Sequence, residues 1–446
     1  MFRNILLLEV TALLIFSLRI DSAFAQQKET DHVIQFFQWK VSQDPDDCFN
    51  YDRLGSAYIQ KARETGDIAY YDLANKALEK SLALESIHAE AAPATKHLAT
   101  VYFAEHRFAE ARALARRAIE LNGNDITPYA LEGDAEAELG NYDRAWSLYR
   151  RLEDPANSQA ENSGVLYLRQ TRASSEAFLK GDLEDAIEHM RRSAEISQHA
   201  GLPAESVAWS QFTLGDNYFL AGKFVQARAA YLAALQSYPG YHRALAGLGK
   251  VAAAEGRLPE AIDDYERAIR VIPLPAYAAA LGDVYAKGGQ AAEARKQYDL
   301  VEFIGRLNVF NRTVYNRELA IFYADHNVHL DQAVSLARKE FELRHDVYTW
   351  DALAWTLFRN GQVNEAAEAM ASALQLGTKD ASLFFHAGLI YERIGETETA
   401  RKFLDRAVAL NPQFNLLLAD VAQQALRRLS GESSATQNGR LADAQP

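Results

Sequence analysis

The stretch LGDNYFLAGKFVQARAAYLAAL, residues 214–235, decides how this chain folds. Gly215 is followed by Tyr218, Gly222, Ala227, Tyr231 and Ala234, so small and aromatic residues alternate at fixed offsets. Residues three, four, seven and eight apart share one face of a helix. Leu214, Gly215 and Tyr218 therefore form one stripe, and Ala227, Tyr231 and Ala234 form a second beyond a turn at Gly222. Small residues let two helix axes approach, and the tyrosines fill the remaining volume against the neighbouring unit. A glycine in the turn accepts positive φ without a steric penalty.

The same offsets return along the chain. LGKVAAAEGRLPEAIDDYERAI (248–269) carries Gly249, Gly256, Ala261, Tyr265 and Ala268. LGDVYAKGGQAAEARKQYDLV (281–301) carries Gly282, Tyr285, Gly289, Ala294 and Tyr298, and AGLIYERIGETETARKFLDRAV (387–408) carries Gly388, Tyr391, Gly395, Ala400 and Ala407. The pattern resembles the tetratricopeptide repeat, W-x2-L-G-x2-Y, then A-x3-F, then P. On that frame, repeats start near Cys48, Ala92, Ile126, Tyr167, Ala208, His242, Pro275, Thr313, Val347 and Ala381. The matching small residue of each second helix is Ala74, Ala111, Ala145, Ala186, Ala227, Ala261, Ala294, Ala333, Ala366 and Ala400. The resemblance implies an all-α, right-handed superhelical solenoid of about ten tetratricopeptide helix-turn-helix repeats over 48–414. Residues 32–47 read as an N-terminal capping half-repeat and 415–429 as a C-terminal capping helix that covers the last apolar face. Residues 430–446 are polar and read as a disordered tail. Extra residues near 61–71, 154–164 and 199–206 read as longer turns or lengthened helices on one edge of the array.

The N-terminus, MFRNILLLEVTALLIFSLRIDSAFAQ, has Arg3 before an apolar run from Ile5 to Leu18, then Ala23-Phe24-Ala25. This is the layout of a secretory signal removed after residue 25, and the run is short for a membrane span. The expectation is an exported protein, periplasmic or secreted, with no stable membrane insertion after cleavage. The single cysteine, Cys48, cannot form an internal disulfide, so packing alone stabilises the chain; it reads as a small buried apolar residue. A net charge of −13 argues against a nucleic-acid or anionic-membrane binder, whose affinity comes from clustered cations.

Catalytic signatures are lacking. No G-x-x-x-x-G-K-[ST], G-x-S-x-G or H-E-x-x-H sequence occurs, and the repeats occupy almost all of 32–429. The strongest metal-like cluster is DHNVHLD (325–331), with Asp325, His326, His329 and Asp331, and it falls in an inter-helix turn where polar residues belong anyway. The reading is therefore a non-enzyme without metal or cofactor, with a metal-dependent enzyme using this turn as the weakest rival.

The remaining candidate surface is the concave groove, lined in tetratricopeptide arrays by the first helix of each repeat. Carried over residue by residue, that resemblance implies Trp209, Phe212, Asp216, Phe219 and Leu220 in the fifth repeat and Arg243 and Lys250 in the sixth. It implies Tyr348, Asp351, Trp355, Phe358 and Arg359 in the ninth, and Phe385, Leu389, Glu392 and Arg393 in the tenth. Aromatics on such a wall add buried area at low entropic cost, as peptide recognition requires. The Lys/Asn clamp that one subfamily uses for C-terminal carboxylates is not reproduced: Lys96 with Thr100, and Asp52 with Ser56, hold its places. The chain is also similar, over 351–388 and beyond, to exported bacterial multi-repeat proteins. The implied partner is a protein or peptide, with an envelope polysaccharide as the alternative ligand.

Overall fold

A computed structural model describes residues 28–154, 161–311 and 316–430. The signal segment and the polar tail lie outside them, so the expectations placed there concern residues the structure does not describe. Among the described residues every regular element is helical. Helix α1 covers 28–43. Ten antiparallel hairpins follow: α2 (Cys48–Thr65) with α3 (Ala69–Leu84), α4 (Ala92–Ala104) with α5 (Phe108–Leu121), α6 (Thr127–Glu138) with α7 (Tyr142–Tyr149), and α8 (Ser163–Leu179) with α9 (Leu183–His199). Next come α10 (Ala204–Leu220) with α11 (Phe224–Ser237), α12 (His242–Ala254) with α13 (Leu258–Val271), and α14 (Pro275–Lys287) with α15 (Ala291–Asn311). The last are α16 (Asn316–Asp325) with α17 (Leu330–Phe341), α18 (Val347–Arg359) with α19 (Val363–Ala373), and α20 (Ala381–Arg393) with α21 (Thr397–Leu410); α22 (Ala419–Leu429) ends the array.

One local device holds many of these hairpins together. The first helix presents a glycine, and the second lays a large side chain into the space that the missing Cβ leaves. A Cβ added to Gly215 would lie 2.5 Å from the Tyr231 ring, and one on Gly133 would lie 2.5 Å from Tyr149. Tyr231 also reaches the next repeat, 2.6 Å from where a Cβ on Gly247 would stand. The residue after the glycine completes the device. Asp134, Asp216 and Asp283 accept the hydroxyls of Tyr149, Tyr231 and Tyr298 at 2.9, 2.7 and 2.9 Å. Each such bond to a charged acceptor is worth about 1.5–3 kcal/mol. On the second helices Ala74, Ala111, Ala145, Ala186, Ala227, Ala261, Ala333, Ala366 and Ala400 have no exposed surface, and Ala294 is 3% exposed. A larger side chain at any of them would push the two helices apart.

The turn of the fifth hairpin places Gly222 at φ 68°, a left-handed conformation that glycine adopts freely. The second and eighth turns put His106 (φ 59°) and Asn327 (φ 57°) at left-handed positions instead. The fourth-repeat helices α8 and α9, and α10 after them, have 17 residues each, so much of the extra length there is lengthened helix. Cys48 is half-buried at the start of α2, not fully enclosed, because it occupies a helix end where the core covers one side only.

The superhelix returns on itself. His345 N–H donates to Glu138 O at 2.9 Å, and Val347 N–H donates to the Tyr142 hydroxyl at 2.9 Å. One repeat further, the Thr378 hydroxyl donates to Leu179 O at 2.6 Å and Phe178 stacks on Tyr348 at 6.4 Å. One further still, the Asn411 amide donates to Phe219 O at 2.8 Å. The turns of the third, fourth and fifth hairpins thus dock in register on the ends of the eighth, ninth and tenth. At the first of these contacts Arg344, 4% exposed, pairs with Glu340 at 2.6 Å and Glu138 at 3.0 Å. The early repeats join similarly: Arg63 pairs with Glu205 at 2.8 Å, and the Tyr238 hydroxyl donates to Glu64 O at 3.3 Å.

Residues 411–418 do not continue the array as a helix. The Asn415 side chain accepts N–H groups from Leu417 (2.9 Å) and Leu418 (3.0 Å), which turns the chain before α22 begins at Ala419. Asn415 thereby satisfies N–H groups that the first turn of a helix leaves without a partner, in the manner of an N-cap. The segment crosses the concave side, with Phe414 5.5 Å from Phe385 and Leu416 packed on the cluster around Tyr265 and Leu281.

Candidate functional site

First helices of the fifth to tenth repeats, together with 413–418, enclose two joined lobes of about 360 and 440 Å³. Ala276, Ala280, Asp283, Phe414 and Asn415 belong to both walls. The lobes form one channel along the inside of the superhelix.

Lobe one is lined by Phe212, Asp216, Phe219, Arg243, Ala246, Gly247, Lys250, Tyr277 and neighbours. Arg243 and Lys250 are seven residues apart on α12 and so share a face. Lys250 Nζ lies 4.1 Å above the Phe219 ring, a cation–π contact. Neither cation has a carboxylate oxygen within 4.0 Å among the described residues. The two aspartates in the same wall are already engaged, Asp216 by Tyr231, and Asp283 by Tyr298 and by His326 Nε2 at 2.8 Å. Arg243 is solvent-exposed, whereas its neighbour His242 is buried with its ring nitrogen 2.8 Å from the Tyr277 hydroxyl.

Lobe two is acidic. Asp325 accepts the Trp355 indole N–H at 2.7 Å, and Asp351 lies 2.9 Å from His386 Nδ1. Asp380 caps α20 through Ser382 N–H (2.7 Å) and Leu383 N–H (3.2 Å) and accepts the Tyr348 hydroxyl at 3.2 Å. Burial raises the pKa of Asp325, with His386 and the indole bond opposing. Burial works against protonation of His386, but the charge and hydrogen bond of Asp351 outweigh it and raise its pKa. His326 is likewise raised: its burial is outweighed by Asp283. Glu318 in this wall leaves one oxygen without a hydrogen bond among the described residues.

The residues proposed from sequence fall into three groups. Phe212, Phe219, Tyr348 and Asp351 line the channel, Phe212 packed between Tyr231 (5.9 Å) and Tyr241 (6.1 Å). Trp209 is half-buried against Tyr167 at 6.5 Å and lines neither lobe. Trp355 and Phe385, both 0% exposed, belong to the core. Trp355 stacks on His386 at 4.2 Å and 14° and on Phe358 at 5.5 Å, and the Arg359 guanidinium lies 5.2 Å from its ring and donates to Asn327 at 3.1 Å. Arg393 is exposed outside both lobes. The open wall of Trp355, Phe358, Arg359, Phe385 and Arg393 is therefore corrected: Phe385 and His386 of α20 cover Trp355, Phe414 lies against Phe385, Phe358 and Arg359 pack on the indole, and Arg393 stands apart. Tyr277, Asp283, His326, His386 and Phe414 line the channel or buttress it without having been singled out as lining residues. The Gly-Asp pair at 282–283, repeated at 133–134 and 215–216, was the available signal for one of them.

The polar turn at 325–331 disperses its side chains. Asp325 faces Trp355, His326 faces Asp283, His329 lies 3.1 Å from Glu302, and Asp331 accepts from Asn360 at 3.2 Å. Among the described residues no group of three or more His, Cys, Asp or Glu side chains is placed to hold a metal ion, and no helix is long and apolar enough to cross a membrane.

Tetratricopeptide-repeat profiles match residues 166–240, and 212–278 with 352–413. The comparison with curated proteins gave no match. Similar solved structures include the APC/C hetero-tetramer Cut9-Hcn1, at 14% identity over 92% of this chain and 95% of that one, TM-score 0.32. A tetratricopeptide repeat protein from Parabacteroides merdae ATCC 43184 matches at 19% identity over 59% and 99%, TM-score 0.34. Yeast Tom70 matches at 13% identity over 88% and 100%, TM-score 0.31. Residues 166–278 and 352–413 thus match tetratricopeptide-repeat profiles, and the described residues form a solenoid of helix-turn-helix hairpins.

Proposed function

We propose that this protein is an exported scaffold that holds a segment of a protein partner in the channel of its superhelix, in the assembly of an envelope complex. Tetratricopeptide repeats point to protein interaction in general; the channel supports the narrower reading. The observation that carries it is the pair of joined lobes, preformed and lined by six successive repeats, with charged side chains facing inward. Preformed concavity lowers the ordering cost of binding. A photo-crosslinking residue at Ala280, in the wall of both lobes, should capture a partner in the native envelope. The same residue at Val225, 76% exposed on the second helix α11, should not. Equal capture at both positions, or none at Ala280, refutes the channel as the site. Export rests on the N-terminal segment, and the native protein should begin at Gln26; an intact Met1 in a cytoplasmic fraction would refute it.

A further inference from the structure

We infer that lobe one recognises an acidic polypeptide segment, whose side-chain carboxylates are met by Arg243 and Lys250. This rests on the channel being a polypeptide site and adds the chemistry of what enters it. The chain carries 60 acidic and 47 basic residues, so cations are scarce and most carboxylates have a choice of few partners. Two cations nevertheless stand on one inward face of α12 with no carboxylate of the described residues within 4.0 Å. The acids nearest in the wall, Asp216 and Asp283, are held by tyrosine hydroxyls and His326. The acids of lobe two are largely bound in the same way, to Trp355, His386 and the α20 N-terminus. Within lobe one the two aspartates already have hydrogen-bond partners, whereas Arg243 and Lys250 have no carboxylate partner among the described residues. An entering carboxylate gains charge-assisted hydrogen bonds from the guanidinium and the ammonium.

The walls between the cations favour a polypeptide over an acidic sugar. Ala276 and Ala280, on α14 across from them, supply small apolar surface that a backbone can approach. The net charge of −13 removes non-specific attraction as an explanation for any acidic ligand that binds.

The test is fluorescence anisotropy of the full chain with labelled hexaglutamate, labelled hexaglutamine and an oligogalacturonate. Hexaglutamate should bind with an affinity that falls as salt is raised, and hexaglutamine should not bind. Arg243→Gln and Lys250→Gln should each weaken hexaglutamate about tenfold, the scale of one hydrogen bond to a charged group. Arg393→Gln, exposed outside both lobes, should leave it unchanged. Among the described residues neither lobe-one cation has an ion pair to lose, Lys250→Gln gives up its cation–π contact with Phe219, and melting curves show that the variants fold. Equal affinity for the two peptides, or hexaglutamate binding unaffected in the double variant, overturns the inference. Oligogalacturonate binding that is lost in the double variant, without hexaglutamate binding, overturns the polypeptide assignment. Capture at Ala280 combined with no hexaglutamate binding sinks this inference alone, whereas failure at Ala280 sinks the channel reading.

Discussion

Replacing Trp355 with alanine separates a core residue from a binding residue. The indole is 0% exposed, stacked on His386 at 4.2 Å, and donates to Asp325 at 2.7 Å. Truncating a buried tryptophan to alanine costs about 3–5 kcal/mol through lost transfer energy and the cavity left behind. Leaving the half-buried Asp325 carboxyl without its donor adds about 1–3 kcal/mol. Trp355→Phe retains most of the packing and should lose only the second contribution, about 1–3 kcal/mol, which divides the total into its parts. Urea unfolding gives both values by linear extrapolation, and hydrogen exchange locates the loss. In an array whose stability sums over neighbours, protection should fall first in α16, α18 and α20. A loss below about 1 kcal/mol for Trp355→Ala would refute the buried stack. So would weakened partner binding at unchanged stability, since only a ring that meets the partner produces that pattern.

Other perturbations test the closure and the hairpin device. Gly222→Ala forces a side chain into left-handed backbone, costing about 1–2 kcal/mol, and places a Cβ 2.9 Å from Leu410 O. Small-angle scattering should show a larger radius as the fifth and tenth repeats part, and an unchanged radius would mean the contact gives way elsewhere. Tyr231→Phe removes the bond to Asp216 and should cost about 1.5–3 kcal/mol in urea unfolding, with a neutral result refuting the device. His242 is held near 3 by burial, with Arg243 adding, against an ordinary value of 6.5. The unfolded chain therefore takes up the proton first, so this stability is complete above pH 6.5 and is lost as pH falls toward 3. His242→Phe should flatten the fall in stability between pH 6.5 and 5, by about 1–2 kcal/mol, and an equal slope in both proteins would refute it. Deleting 415–429 uncovers the Phe385 and Leu404 cluster and removes part of the channel wall; exchange should rise from the C-terminal end, and uniform loss across the chain would indicate a more cooperative unit.

Local chemistry was legible in the sequence. The offsets from Gly215 to Tyr231 and from Gly282 to Tyr298 identify two helices that must pack closely, because helix periodicity and side-chain volume are properties of short segments. The alanine of each second helix is buried for the same reason. Part of the channel could be read as well, since Phe212, Phe219, Arg243, Lys250, Tyr348 and Asp351 occupy positions that face inward in any such array. Trp355 and Phe385 could not be placed from spacing. Their helix faces are inward too, but whether an inward face stays open depends on what lies over it, and here Phe385 lies over Trp355 and Phe414 over Phe385. The docking of Gly222 against Leu410 and the Arg344 pair with Glu138 join residues up to 206 positions apart. They arise because the small rotation at each repeat interface accumulates over five or six repeats until one turn of the superhelix meets the next. No single interface encodes that sum, so only the tertiary structure decides it.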